Sequence, residues 1–398
     1  MKYTVKVSER VFRIGANDRR THLFENLWPL PQGVAYNSYL IRDEKTVLLD
    51  TIESSSAQDF LNTLTDILRG KTLDYIIINH MELDHASQIG EVIKLFPEVK
   101  IIGNKFTAKV LGSYFPEAMA NFMEIKDGDT LDLGHHKLQF YLTPMLHWPE
   151  TMMSYDTTEG ILFSGDAFGT FGAIRGGVLD KNTKLEFFED EMRRYYSNIV
   201  GKFSAMAQKA IARLKSTIEI KTICSLHGPI WQKYVGDVIS LYDKWSRYES
   251  ESGVVICYGS MYGNTASMAD YIAHRIAEQG VQDIVIHDVS KTHMSYIVSD
   301  IWKYKGVMLG SVAYNGDMFP AMANLCHELT HLGIKDKKLG LFGSYSWNGG
   351  GVRNLKKFAD ELAWEQVCEP CEIHGRTSKE KYAICDSMAL AMAEAVKK

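Results

Sequence analysis

Short apolar runs alternate with amphipathic stretches along the chain, and that alternation predicts an α/β fold. In the first half, Leu73 to Ile78, Leu138 to Leu142, Ile161 to Phe163 and Thr222 to Cys224 read as buried strands, while Ser56 to Leu68 carries a helical pattern. Strands and helices mixed in this way predict an αββα sandwich. The polar run from Ser246 to Gly253 predicts a linker, so a domain boundary is expected between 1–249 and 250–398. Beyond it the series becomes a regular βαβα. Val254 to Tyr258 predicts a strand, and the helix after it sets Ala269, Ile272 and Ile276 on one face with Gly280 past its end. Val307 to Gly310 and Leu339 to Gly343 predict two more strands, and the second half as a whole a doubly wound parallel sheet.

Composition narrows the classes. The chain has 398 residues, 45% hydrophobic and 23% charged, which is enough material for two cores in an ordinary globular protein. Its net charge of -5, with no basic cluster interleaved with aromatics, argues against nucleic-acid binding. No apolar stretch approaches the roughly 18 residues that span a bilayer, and Met1-Lys2-Tyr3-Thr4-Val5 lacks the apolar core of a signal peptide, so a cytoplasmic protein without membrane partners is expected. The six cysteines are scattered, and only Cys368-Glu369-Pro370-Cys371 is close-spaced. One CxxC lacks the second pair of a four-thiolate site, so no fused rubredoxin module is expected; the two read as ordinary thiols of a strand or loop, or as a redox pair.

Candidate chemistry gathers just past the predicted strands. His80-Met81-Glu82-Leu83-Asp84-His85 follows the first apolar run, and His147, Asp166 and His227 follow the other three. Loops at strand ends are where α/β folds place their sites. Two imidazoles and two carboxylates in one short loop converge on a metal from two sides, and such donors suit zinc or iron.

In order and spacing, His80-x-Glu82-x-Asp84-His85 with His147, Asp166 and His227 resembles the metallo-β-lactamase superfamily, whose usual opening is HxHxDH. Glu82 stands where the second His is usual. With Leu146-His147-Trp148-Pro149 after it, the chain looks like the flavodiiron proteins, also called A-type flavoproteins. A carboxylate in place of an imidazole adds a hard, anionic donor, which favours iron over zinc and redox chemistry over hydrolysis. The resemblance implies that His80, Glu82 and His147 hold one iron, that Asp84, His85 and His227 hold the other, and that Asp166 bridges them. In some members the imidazole matching His85 turns away and water takes its place. Trp148 and the pair Tyr195-Tyr196 are candidates to line the iron pocket and Glu25 to reach it, against the simpler readings of core aromatics and a surface acid.

A second signature lies between the strand Val254 to Tyr258 and its helix, in Gly259-Ser260-Met261-Tyr262-Gly263-Asn264-Thr265. Small and hydroxylated residues at a helix N-terminus cradle a phosphate with backbone N–H groups. Neither GxxxxGKS/T nor GxGxxG is present, which counts against nucleoside triphosphates and dinucleotides. The loop resembles the FMN-phosphate loop of flavodoxins, Ser/Thr-x-Thr-Gly-x-Thr, with Tyr262 where Thr is usual. The resemblance extends to two further loops, Ser311-Val312-Ala313-Tyr314-Asn315-Gly316 and Ser344-Tyr345-Ser346-Trp347-Asn348-Gly349-Gly350, which in the flavodoxin-like fold flank the isoalloxazine. Tyr314 or Trp347 is placed to stack on the ring or lie at its edge.

Together these resemblances imply an oxidoreductase in which FMN passes electrons to a non-haem diiron centre that reduces O2 to water, NO to N2O, or both. The implied donor is a separate rubredoxin or a reduced deazaflavin. In the family a head-to-tail dimer sets the FMN of one chain beside the iron of its partner, so a homodimer is expected, with a tetramer left open. Two rivals remain in view. A dizinc hydrolase of the lactamase or glyoxalase II type, with an accessory flavodoxin-like domain, would use zinc-bound hydroxide, and Glu82 argues against it. A plain electron carrier with a relic first half is opposed by the seven candidate ligands.

Overall fold

Residues 4–362 and 364–397 are described by a computed structural model, in which the chain divides into two compact units. One runs to Tyr196 and resumes over Phe203–Asp243; the other joins Ser197–Lys202 to the chain from Lys244 onward. The division thus lies slightly before the expected linker, and a six-residue segment of the first half belongs to the second unit. The polar run misleads at both ends. Ser246 closes the helix Val235–Ser246, and Glu251 already opens a strand. Polar residues are tolerated there because Glu251 and Ser252 lie at the solvent-facing start of that strand, ahead of its buried centre.

Two sheets form the first unit. The seven-stranded one contains β1 (Thr4–Lys6), β2 (Val11–Asp18), then, past the short hairpin of β3 (Leu23–Phe24) and β4 (Trp28–Pro29), β5 (Val34–Arg42), β6 (Thr46–Leu49), β7 (Tyr75–Ile77), β8 (Lys100–Gly103) and β9 (Phe122–Glu124), in the order β1-β2-β5-β6-β7-β8-β9. The five-stranded one runs in sequence through β10 (Thr130–Asp132), β11 (Lys137–Leu142), β12 (Met152–Asp156), β13 (Ile161–Phe163) and β14 (Thr222–Cys224). Tyr39, Ile41, Leu49 and Ile77 of the first sheet share one buried cluster with Leu138, Phe140, Phe163 and Cys224 of the second. That is the core of a sandwich, and it makes the strands rigid supports for the loops at their ends. The helix Ala57–Leu68, as expected, buries Phe60, Leu64, Ile67 and Leu68.

The second unit is a parallel sheet of β15 (Glu251–Gly259), β16 (Ile284–Asp288), β17 (Tyr304–Val312), β18 (Lys338–Tyr345), β19 (Glu365–Gln366) and β20 (Cys371–His374), in the order β16-β15-β17-β18 with β19 and β20 both pairing β18. Val254 to Cys257 are all buried, as required of a strand covered on both faces. The helix Asn264–Glu278 buries Met268, Ala269, Ile272, Ala273 and Ile276, the predicted face. This order is the flavodoxin-like one, whose ligand crevice opens at the carboxyl ends of the strands where the order reverses. Cys371 begins β20, and its Sγ lies 3.8 Å from Cys385 Sγ.

Lys337 is buried just before β18, its Nζ donating to Ser250 Oγ at 2.6 Å, Tyr304 O at 2.9 Å and Trp302 O at 3.2 Å. Burial pushes the ammonium down to about 7, against the pull of Asp336. Between that value and the ordinary lysine range the unfolded chain holds the proton more tightly, so stability rises with pH across this window and falls as pH drops through it. Urea titrations of the second unit should show stability falling by roughly 2–4 kcal/mol from pH 10 to pH 7. In Lys337→Met that dependence should be absent; an equal slope in both proteins refutes the assignment.

Candidate metal centre and flavin loops

Each of the four loops expected to carry metal ligands leaves the carboxyl end of a strand. His80 to Asp84 follow β7, His147 follows β11, Asp166 follows β13 and His227 follows β14. Their donor atoms form two groups. His80, Glu82, His147 and Asp166 bring ligand atoms within 4.8 Å of one another, and so do Asp84, His85 and His227. In the first group, Glu82 Oε2 lies 3.1 Å from His80 Nε2 and 3.3 Å from His147 Nε2. In the second, Asp84 Oδ2 lies 3.1 Å from His85 Nε2 and 3.3 Å from His227 Nε2. Asp166 divides its oxygens: Oδ2 is 3.0 Å from His147 Nε2 and Oδ1 is 3.2 Å from His85 Nε2. Ligands about 2.1 Å from one cation sit roughly 3.0–3.4 Å apart, which is the spacing found.

Ring orientation follows from partners behind the histidines. His80 Nδ1 sits 2.8 Å from Glu150 Oε1, and His227 Nδ1 sits 3.0 Å from the carbonyl of Ala35. Oxygens of these kinds accept, so each Nδ1 carries the proton and each Nε2 lone pair faces the cluster. His227 Nε2 is 3.0 Å from His85 Nε2. Asp84 Oδ1 and Oδ2 and Asp166 Oδ1 are buried with no hydrogen bond of acceptable geometry, although histidine nitrogens are close. Oxygens and nitrogens that converge without a shared proton on the line between them fit a cation in their midst. His85 is the least anchored, its buried Nδ1 having no partner among the described residues.

The electrostatics agree. Burial would raise the carboxyls, yet the histidines around them hold Glu82 down to about 2 and Asp84 and Asp166 lower still. Burial would lower the histidines, yet the same carboxylates pull His147 up to about 9, His85 up to about 10 and His80 well above its ordinary value. Three ionised carboxylates in a buried space demand positive charge, which protons on the rings or metal cations can supply.

Around this cluster lie the other expected residues. The Tyr195 ring is 5.6 Å from that of His227, fully buried, with a hydroxyl that has no partner among the described residues. Trp148 stands edge-on to His80 at 5.3 Å. Glu25, on the turn of the β3–β4 hairpin, lines a pocket of about 340 Å³ with Phe24, Tyr36, Glu82 and Asp84. Burial, then the facing Glu82 and Asp84, holds its carboxyl up to about 8 even though the residue as a whole is exposed. Tyr196 instead packs on Tyr242 and bonds Ser204. Sequence reasoning missed the supports. Glu150, three residues past His147, also accepts from Met81 N; Asp50 at the end of β6 accepts from the backbones of Asn79 and His80. Asp50 carried the same signal as Asp166, an acid just past an apolar run. Asn37, in β5, carried none: its Nδ2 donates to Ser225 O and Gly228 O on either side of His227, and its Oδ1 accepts from buried Arg13.

In the second unit the three expected loops leave β15, β17 and β18 side by side at their carboxyl ends. Gly263 takes φ +90° before the helix Asn264–Glu278 and provides no side-chain cap, leaving the first N–H groups of that helix open to an anion. Ser260 Oγ accepts from Gly263 N, and Thr265 Oγ1 meets Ser344 Oγ at 2.8 Å, tying the first loop to the third. Gly350 closes the other side, where a Cβ would come within 2.2 Å of Gly316 O. Tyr262 is 92% exposed and Trp347 80%, so these two rings stand at the loops largely uncovered, while Tyr314, 41% exposed, meets Phe319 edge-on at 6.2 Å. Met261, Asn315 and Ser346 are also exposed, whereas Val312, Ala313, Tyr345 and Gly349 are half-buried.

Fold and sites thus define a lactamase-like sandwich with a paired-metal donor set, joined to a flavodoxin-like domain. A family model described as ODP family beta lactamase matches residues 34–228, and a flavodoxin model matches residues 256–385. Anaerobic nitric oxide reductase flavorubredoxin of Pectobacterium atrosepticum is 34% identical over 403 residues, covering 96% of this chain and 78% of that protein. The same enzyme of Shigella dysenteriae is 32% identical over 398 residues, covering 96% and 83%. Rubredoxin oxygen:oxidoreductase from Desulfovibrio gigas superposes with a TM-score of 0.95 at 29% identity over 99% of this chain and 98% of that one. The flavodiiron protein from Giardia intestinalis, at 24% identity and a TM-score of 0.94 over 100% and 97%, shares the fold. The chain belongs to the flavodiiron protein family, oxidoreductases with FMN and a non-haem diiron centre.

Asn37→Ala should take away the side-chain donor to the buried Gly228 carbonyl and the acceptor of Arg13 Nε, while Tyr39 still donates to Ser225 O and Arg13 still reaches Tyr36 O, costing about 2–4 kcal/mol of stability. Because it also loosens the segment carrying His227, metal affinity should fall by about tenfold or more. Chelator titration against a colorimetric iron probe measures this; unaltered affinity in a folded variant removes Asn37 from the support of the site.

Proposed function

We propose that this chain reduces NO to N2O and O2 to water with electrons from FMN, at two irons held by His80, Glu82 and His147 on one side and Asp84, His85 and His227 on the other, with Asp166 between them. The observation that carries the reading is Asp166, which turns one oxygen to each donor group. Two imidazoles, one carboxylate of its own and one Asp166 oxygen on each side, four anionic oxygens in all, suit iron better than zinc. When bound, FMN supplies electrons singly or in pairs and the irons bind the gas and deliver those electrons to it.

The residues around the centre do the rest. Both reactions consume protons, two for each pair of NO molecules and four for each O2. Glu25, with its carboxyl held up to about 8, is a proton donor at the mouth of the pocket, although cations held by Glu82 and Asp84 would draw its affinity down. Tyr195, fully buried with its ring 5.6 Å from that of His227 and its hydroxyl without a partner among the described residues, is a second donor. Glu150 and the Ala35 carbonyl keep the His80 and His227 lone pairs on the metals. The loops 260–265, 311–316 and 344–350 would hold FMN, with the open N–H groups after Gly263 to bind its phosphate and Tyr314 or Trp347 to meet its ring.

A rubredoxin-type donor and a head-to-tail homodimer complete the reading. Exposed Leu23, Leu27 and Leu83 around the metal pocket, and Met261, Tyr262 and Trp347 around the flavin loops, are apolar surfaces that such a dimer would cover. Six free cysteines suit the reducing cytoplasm.

Protein purified anaerobically from its own host should carry about two irons and one FMN per chain; zinc in place of iron would overturn the reading in favour of a hydrolase. Asp166→Ala should lose iron and keep FMN, and an iron-replete variant removes Asp166 from the ligand set. Trp347→Ala should weaken FMN by roughly three- to tenfold if its ring contacts the flavin, with apoprotein titration as the readout.

A further inference from the structure

The sheet that carries His147 and Asp166 at one end holds a second cluster of metal-ligating side chains at the other. His136 immediately precedes β11, whose far end leads to His147; Glu159 lies two residues before β13, whose far end leads to Asp166. A six-residue strand separates its ends by roughly 20 Å, so the two clusters are distinct. His135 and His136 sit in the turn between β10 and β11, and Glu159 in the turn between β12 and β13. Their ligand atoms lie within 4.8 Å of one another.

This cluster is built, and the flavodiiron chemistry makes no use of it. The two turns are cross-tied: Thr157 N donates to Lys137 O at 2.9 Å, and Thr158 Oγ1 donates to His135 O at 3.2 Å. His136 N donates to buried Asp43 at 2.7 Å, which fixes the backbone beneath the ring. The His136 side chain is fully buried, and its Nδ1 lies 2.8 Å from Asp156 Oδ2. A carboxylate behind Nδ1 holds the proton there and turns the Nε2 lone pair outward, the arrangement that supports a histidine bound to metal. That Nε2 is buried and has no hydrogen-bond partner among the described residues, and the same holds for Glu159 Oε2. Leaving two buried polar atoms unpaired in one cluster costs roughly 1–3 kcal/mol each unless something else satisfies them. His135, exposed on the same turn, completes the set and leaves one side open to water.

We propose that His135, His136 and Glu159 bind a third metal ion, separate from the diiron centre, and that it is a borderline divalent cation of the zinc class. Two imidazoles and one carboxylate, with solvent in the fourth position, are a donor set for Zn2+ or Co2+; Mg2+ and Ca2+ prefer oxygen ligands throughout. The ion pins the β10–β11 turn to the β12–β13 turn. Its role is to brace the edge of the sheet from which the ligand loops project.

The test uses the iron- and FMN-loaded protein, given Zn2+ and then desalted, with zinc and iron counted together. About one zinc per chain should be gained with no iron lost, and the melting temperature should rise with free Zn2+. Loading with Co2+ should give the visible bands of a four-coordinate site. His135→Ala and Glu159→Gln, both near the surface and so expected to fold, should weaken zinc by at least about tenfold and abolish the thermal shift, with iron and FMN contents unchanged. His136→Ala should do the same if it folds. Zinc uptake equal in wild type, His135→Ala and Glu159→Gln overturns the proposal, as does the absence of any zinc beyond that replacing iron. In the latter case a proton on His136 satisfies the cluster.

Discussion

Three carboxylates, Glu82, Asp84 and Asp166, are held close together in the interior of the first unit, and their charge is the constraint on which the site depends. An isolated buried carboxylate is costly, and three in one space can be kept ionised only by equally close positive charge. The surrounding histidines meet that demand in part, and the proton positions imposed by Glu150 and the Ala35 carbonyl leave two nitrogen lone pairs facing inward. Cations are what such lone pairs and carboxylates together require. Metal loading should therefore couple strongly to the stability of the loops that carry the ligands.

The sandwich makes this concentration of charge tolerable. Every ligand loop leaves a short strand whose inward residues pack in the shared core, so the donors are fixed by that core and move little relative to one another. Behind the ligands, neutral and charged polar groups hold the loops by their backbones: Asp50 grips Asn79 and His80, and Asn37 grips the segment around His227. The second unit solves a different problem by similar means. Its loops have no buried charge to offset; they present N–H groups and exposed rings, held in place by a hydroxyl pair between Thr265 and Ser344 and by the close approach of Gly350 to Gly316.

Much of this was legible along the chain. The run lengths identified Ile161 to Phe163 and Thr222 to Cys224 with the bounds the strands have, and the helical face of Ala269, Ile272 and Ile276 is the buried one. Each ligand candidate announced itself as a polar residue directly after an apolar strand. The polar run 246–253 was less reliable, because a helix end and the first residues of a buried strand are both allowed to be polar. The exchange of Ser197–Lys202 into the second unit had no composition signal at all.

By itself the sequence determined the two α/β halves, the ligand types and their order, because strand burial and metal coordination each demand particular residues at particular spacings. Only the tertiary structure decided how those residues pair. That Asp166 splits its oxygens between two groups, that Glu150 stands behind His80, and that Asn37 braces a loop nearly two hundred residues away are contacts between distant segments. Such contacts depend on how the sheets stack and the strands align, and a side chain's neighbours across a core leave no periodic trace in its own stretch of chain.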